Sequence, residues 1–326
     1  MTTEYNNFDN LKLQSGRSET DILFTCASFE PRSTTVASHL PSDFNANVGI
    51  IYYNKELQNQ ASAKVTNAKE ELNKCLGRHC RDLQIVEGSI NNPTDQLNAI
   101  RKVLESADER IERIESITID STTFTRETLL ILLNILSSWY PHAEIDILYV
   151  SPEKYGKWLS RGHRELRNVI GHPGIQTPEK SMSLVVLSGF ESNRMFKIIE
   201  ELEPAVIHFG IGREPTRDEF LDRNLNRQEE LLKTRPETVE FGFPADNIDG
   251  SRNAIDRRIS DSIDSHDIVF APMSTKLSTI GCWKVAQFYP SSQVVYALPD
   301  QYNFEGYSEG AGDIYCDSFI AGLNSS

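Results

Sequence analysis

Short apolar runs alternate with longer amphipathic or polar stretches along nearly the whole chain. Runs at 21–27, 48–53, 82–86, 116–120 and 144–150 have strand length and strand composition. Between them, a stretch from Ser33 to Leu40 and segments 56–76, 93–106 and 125–138 have helical character, the last of them apolar on most sides and therefore buried. Pro93 stands where a first helical turn tolerates proline. Strands that are continuous apolar runs, alternating with helices, predict a parallel sheet covered on both faces.

The same order returns later. Strands are expected at 184–188, 205–209, 238–241, 267–271 and 293–297, with helices up to Leu202 and at 216–233, 251–263 and 274–288. Residues 160–181 contain Arg, Gly, His, Pro173 and Pro178 and are expected to link the halves. Residues 1–20 are polar and aperiodic, and are expected to form a loose tail. The predicted fold class is α/β, with two tandem Rossmann-like domains: tail 1–20, first domain 21–159, linker 160–181 and second domain 182–326.

The repetition extends to letters. Ser28-Phe-Glu-Pro-Arg32 matches Gly189-Phe-Glu-Ser-Asn-Arg194, and Asn98-Ala-Ile100 matches Asn253-Ala-Ile255. Trp139-Tyr-Pro141 matches Phe288-Tyr-Pro290, and Leu148-Tyr-Val-Ser-Pro-Glu-Lys-Tyr155 matches Val295-Tyr-Ala-Leu-Pro-Asp-Gln-Tyr302. Four matches in one order predict an internal duplication, with the copies related by a pseudo-two-fold around a shared cleft. Two unrelated α/β domains sharing common tripeptides are the plainer alternative.

Composition narrows the function classes. The formal charge is −14, from 47 acidic and 33 basic side chains, which disfavours duplex nucleic acid and anionic membrane surfaces as partners. The longest apolar run, 128–136, is interrupted by Asn134 and is too short to span a bilayer. The N-terminus lacks a basic start and an apolar signal core. Five cysteines in a chain of 326 residues favour reduced thiols and the cytoplasm. Cys75 and Cys80, with His79 between them, do not have zinc-site spacing. No G-x-S-x-G, H-E-x-x-H or P-loop is present, so neither a metal nor a cofactor is expected.

In open α/β sheets ligands bind beyond the carboxyl ends of the strands, where helix N-termini favour anions. Ser28, Glu30 and Arg32 follow the first strand, and Glu191 and Arg194 are their counterparts. Asp120, Ser121, Thr122, Thr123, Thr125 and Arg126 follow the fourth, with Ser274, Thr275, Lys276 and Ser278 as counterparts. Gly210 and Gly212 follow a strand of the second half, where paired glycines let backbone approach a ligand or simply turn. Tyr302 and Tyr307 lie in a glycine-rich segment after the last strand, placed to fold over a ligand or to cap the surface. The same residues have a structural reading. Ser and Thr before a helix are ordinary caps, and Glu30 can pair with Arg32. His208, inside a strand, is expected to be a core histidine, and Cys26 a core thiol.

A Rossmann-like unit with an Asp- and hydroxyl-rich turn after strand four, paired about a two-fold, resembles the CRISPR-associated Rossmann fold (CARF) sensor domains. Ser28–Arg32 and Asp120–Arg126, with Gly189–Arg194 and Ser274–Ser278 in the repeat, are the matching positions. The family's strand-four motif usually reads Asp-x-Thr-Gly-Gly-Thr-Lys, whereas Asp120-Ser-Thr-Thr-Phe-Thr-Arg126 lacks both glycines. The resemblance implies a cyclic-oligonucleotide or other nucleotide-like messenger and a role in antiviral defence. A fused nuclease is typical of the family and none is visible, so a separate effector protein is the partner expected. The leading expectation is thus a sensor that binds a small nucleotide-like anion, with Arg32, Arg194, Arg126 and Lys276 as charge partners. The alternatives are an enzyme acting on a nucleotide or glycoside through Glu30, Glu191 and Asp120, and an assembly subunit whose polar clusters are ion pairs.

Overall fold

The computed structural model describes residues 2–5, 13, 15–189, 192–213, 226, 229, 231, 233–235 and 237–322. The chain divides into two compact units, Met1–Lys157 with Phe304–Asn324, and Trp158–Asn303.

The first unit is built on strands β1 (Thr3–Tyr5), β2 (Glu19–Ala27), β3 (Asn45–Asn54), β4 (Cys80–Gly88), β5 (Ser116–Asp120), β6 (Glu144–Val150) and β17 (Ile314–Ile320). Their order in the sheet is β1-β17-β6-β5-β2-β3-β4. Strands β2 to β6 are mutually parallel. Strand β17 runs antiparallel to β6, and β1 antiparallel to β17. Every residue of β5 is buried, as a central parallel strand with helices on both faces requires. Pro93 opens the helix Pro93–Asp108, and the Asn92 side chain caps it by accepting from the Thr94 and Asp95 amides. The helix Arg126–Trp139 buries Leu129, Leu130, Ile131, Leu132, Leu133 and Ile135, on nearly all sides.

The second unit repeats the plan. Strands β9 (Glu165–Pro173), β10 (Ser181–Leu187), β11 (Val206–Arg213), β12 (Thr238–Pro244), β13 (His266–Pro272) and β14 (Gln293–Leu298) lie in the order β12-β11-β10-β13-β14-β9. Five are parallel, and β9 is antiparallel to β14. Asn247 caps Ile248–Ile259 by accepting from the Gly250 amide, as Asn92 caps its helix. Both sheets are therefore Rossmann-like, with an antiparallel strand beside the fifth parallel one.

The domain limits differ from those expected. Residues 160–181 are no linker: they hold β8 (Ser160–Arg161) and β9. The C-terminal segment does not stay with the second half, because β17 is an interior strand of the first sheet. Part of the expected tail is ordered, with β1 on β17, β2 beginning at Glu19, and Leu13 buried. Glu165–Pro173 is a half-exposed edge strand. Such a strand has no continuous apolar run to mark it. The helix expected at 56–76 breaks at Ala61, which leaves helical geometry between Lys55–Gln60 and Ser62–Leu76. Most of the helix expected at 216–233 lies outside the described residues. No described helix is long and apolar enough to cross a membrane.

Candidate functional site

The turn after β2 is held by one buried arginine. Pro31 opens a short 3-10 helix, Pro31–Thr34, which directs the Arg32 side chain inward. Arg32 Nη1 donates to the Val150 carbonyl at the end of β6 (2.6 Å), and Nη2 pairs with Glu30. Ser308 Oγ also donates to Glu30 (3.0 Å). Burial opposes the Arg32 charge, but the Glu30 carboxylate together with the Tyr149 and Tyr155 side chains outweighs it and raises the guanidinium pKa. The second unit has the same brace: Arg194 Nη1 donates to the Ala297 carbonyl (2.9 Å). Val150 and Ala297 are equivalent positions in the repeated Leu/Val-Tyr-Val/Ala segment. Arg32 and Arg194, expected to meet a ligand's charge, are thus both buried and tie the first turn of their unit to its fifth parallel strand. Glu191 lies outside the described residues.

The turn after β5 is also internally satisfied. Asp120 accepts from Thr122 Oγ1 (2.5 Å), the Thr122 amide (3.1 Å) and Thr25 Oγ1 (3.3 Å). Ser121 Oγ donates to the Leu148 carbonyl (3.0 Å), and Thr123 Oγ1 to that of Cys26 (2.6 Å). Thr125 caps Arg126–Trp139 by accepting from the Thr128 amide, and Thr275 caps Lys276–Phe288 by accepting from that of Ser278. Ser274 is half-buried beside that cap. Arg126 and Lys276 stand at these helix starts, and neither is without a partner.

Burial raises the Asp120 carboxyl to about 6, against the lowering effect of its three hydrogen bonds and of Arg32. The folded form therefore holds a proton more tightly than the unfolded chain. That preference stabilises the fold fully below pH about 4 and is lost as the pH rises through about 6. We expect Asp120→Asn to remove a pH-dependent step on the order of 2–3 kcal/mol. Urea unfolding at pH 4 and pH 7 checks this, since a stability difference between variant and wild type that is the same at both pH values excludes titration of Asp120 in that range.

Gly210 and Gly212 lie within β11. A Cβ on Gly210 would meet the Phe241 ring at 2.8 Å, and one on Gly212 the Phe243 ring at 3.1 Å, so both glycines make room for the aromatic side chains of β12. Gly189 is more constrained, since a Cβ there would lie 1.8 Å from the Met273 carbonyl oxygen. His208 is buried in β11, with one ring nitrogen 3.4 Å from Ser262 Oγ and Nδ1 without a partner. Burial lowers its pKa to about 4. Cys26 is buried, as expected. Among the described residues no group of His, Cys, Asp or Glu is arranged to hold a metal.

The segment after β14, expected to fold over a ligand or to cap the surface, is divided between the two units. β15 (Gln301–Tyr302) pairs with β8 in the second unit, where the Tyr302 and Tyr296 hydroxyls are 3.3 Å apart. β16 (Ser308–Glu309) pairs with β7 (Lys154–Tyr155) in the first. Phe304 and Tyr307 then pack edge-on against Phe29, with ring centroids at 4.9 and 5.6 Å. Lys64 Nζ donates to the Phe304 carbonyl (2.6 Å) and pairs with Glu305 (3.1 Å).

These contacts border an open cavity of about 280 Å³ beside the first turn of the first unit. The turn contributes Ser28, Phe29, Glu30, Ser33 and Thr34, and the C-terminal segment Phe304, Glu305, Tyr307 and Ser308. Lys64, Asn67, Ala68 and Glu71 come from successive turns of one helix face. Ser33 is 1% exposed and its hydroxyl has no partner. The cavity joins Ser28, Glu30 and Tyr307 among the expected residues, and leaves Asp120, Thr122, Thr125 and Arg126 out of its wall. Lys64, Asn67 and Glu71 were not anticipated. Their spacing shows that they share a helix face, but nothing in it says what that face meets.

No protein-family model matches the chain, and no curated protein matches it. Among solved structures, the NADP-bound N-domain of a bacterial malonyl-CoA reductase is 9% identical over 83% of this chain and 79% of its own, with a TM-score of 0.24. A type I 3-dehydroquinate dehydratase from Clostridium difficile is 9% identical over 87% of this chain and 98% of its own, with a TM-score of 0.19. Likenesses at these TM-scores carry no argument about function.

Proposed function

We propose that this protein is a ligand-binding sensor whose first unit takes the nucleoside-like part of a small ligand. The observation that carries this reading is the cavity beside the turn after β2, which combines aromatic edges with hydroxyls and carboxylates. Its volume is near the lower end for small-molecule sites, about 300 Å³, which suits a base or a sugar. Glu30 is already paired with Arg32, and the remaining carboxylates, Glu71 and Glu305, face one cation, Lys64, already paired with Glu305. That balance favours a hydroxyl-rich or proton-donating group over a phosphate. Any phosphates of a nucleotide-like messenger would then extend outside this cavity. The reading keeps the sensing role implied by the CARF resemblance, with an effector protein as partner.

Calorimetric titration with nucleosides, nucleotides and cyclic oligonucleotides tests the proposal. We expect one class to bind, and Tyr307→Ala to weaken it about tenfold to a hundredfold, the value of one aromatic stacking contact. No binding by any of the panel, or affinity unchanged in Tyr307→Ala, overturns the site. Turnover of a bound ligand that is abolished by Glu30→Gln would instead assign an enzyme.

A further inference from the structure

The free edge of the first sheet carries an ordered pattern of its own. Among the described residues strand β4 pairs only with β3 and ends the sheet, presenting nine residues without a proline. Asp82 and Gln84 are engaged on the side of the helix Pro93–Asp108. Asp82 receives Arg110, and Gln84 donates to Asp82 (2.9 Å) and to Ser106 in Pro93–Asp108 (3.4 Å). On the other face Arg81, Ile85 and Glu87 are exposed, and Leu83 is half-buried against the core. Ile85 is 51% exposed, and only two other large hydrophobic side chains are so placed among the described residues. Long unpaired edges of this kind are templates for strand addition unless blocked.

We propose that β4 pairs with β4 of a second copy of this chain, antiparallel and centred on Gln84. In that register Arg81 stands opposite the partner's Glu87 and Leu83 opposite the partner's Ile85, on one face. Opposite charges and apolar pairs at directly facing positions stabilise an antiparallel pair, whereas like charges oppose it. A shift of one residue puts Asp82 against Glu87, two carboxylates, and turns one sheet over relative to the other. The edge charges therefore select a register rather than block addition. The interface is isologous, as a two-fold dimer requires. This inference is independent of the cavity and its ligand.

Sedimentation velocity on the full chain, over a wide concentration range, tests it. Wild type is expected to dimerise reversibly. Ile85→Lys, Arg81→Glu and Glu87→Arg should each raise the dissociation constant about tenfold or more, since each change occurs twice in the symmetric interface. The double variant Arg81→Glu with Glu87→Arg should return it to within about threefold of wild type, because the facing pair is restored with its signs exchanged. Unchanged circular dichroism, with melting unchanged at concentrations where wild type is also monomeric, would show that the variants remain folded, as expected for exposed positions. A wild type that stays monomeric, a dimer indifferent to Ile85→Lys, or a double variant no better than the singles would each overturn the proposal.

Discussion

Arg32→Ala is expected to destabilise the first unit by about 3–5 kcal/mol, the usual cost of removing one partner of a buried ion pair. Arg32 is 3% exposed and Glu30 6%. The substitution leaves the buried Glu30 carboxylate without its cation, with only Ser308 Oγ still donating to it. It also removes the donor to the Val150 carbonyl, and so the tie between the turn after β2 and the end of β6. Urea unfolding, followed by near-ultraviolet circular dichroism, measures the loss. Removing both partners should cost less than the sum of the two single changes, because the uncompensated charge disappears with its carrier. A loss below about 1 kcal/mol, the value of a solvent-exposed pair, would show that Arg32 is not the brace described here.

Deletion of the chain after Gly312 is expected to abolish folding of the first unit. It removes β17, which lies between β1 and β6 and pairs with β6 from Ile314↔Val150 to Ile320↔Glu144. Ile314 and Cys316 belong to an apolar cluster of the unit, and the Tyr315 ring lies tilted beside that of Tyr149 with centroids at 6.2 Å. Losing an interior strand exposes a whole edge of β6 and uncovers that cluster. The expected cost exceeds about 5 kcal/mol, the lower end of a domain's total stability. Fragment 1–159 should therefore give no cooperative melt by itself, and a peptide covering 304–322 should restore one when added. A cooperative melt of 1–159 alone would place β17 outside the folding unit.

The parallel strands were legible because a strand buried on both faces must be apolar at consecutive positions. β6 occupies the residues 144–150 that the pattern marks, and β14 begins at Gln293, where the apolar run 293–297 begins. Helix starts were equally legible, because Asn92, Thr125 and Thr275 carry side chains that compete for free amides. The antiparallel strands were not. β9 mixes Glu, Arg, Asn and His with its apolar residues, and β17 is identified only by the strands it joins.

Of the site, the sequence marked Ser28, Glu30 and Arg32 as a group but could not say which faces a cavity and which is buried. The choice between an ion pair within the turn and a charge offered to a ligand depends on where the Val150 carbonyl stands, 118 residues further on. The cavity wall depends likewise on Phe304 and Tyr307 reaching Phe29.

The amino-acid sequence by itself determined the α/β class, the repeated strand and helix order and the duplicated turn motifs, because hydrophobic period and capping chemistry act over a few residues. Only the tertiary structure decided which sheet receives β9 and β17, which of the clustered polar groups satisfy one another, and where a cavity remains, because those outcomes depend on packing between segments hundreds of residues apart.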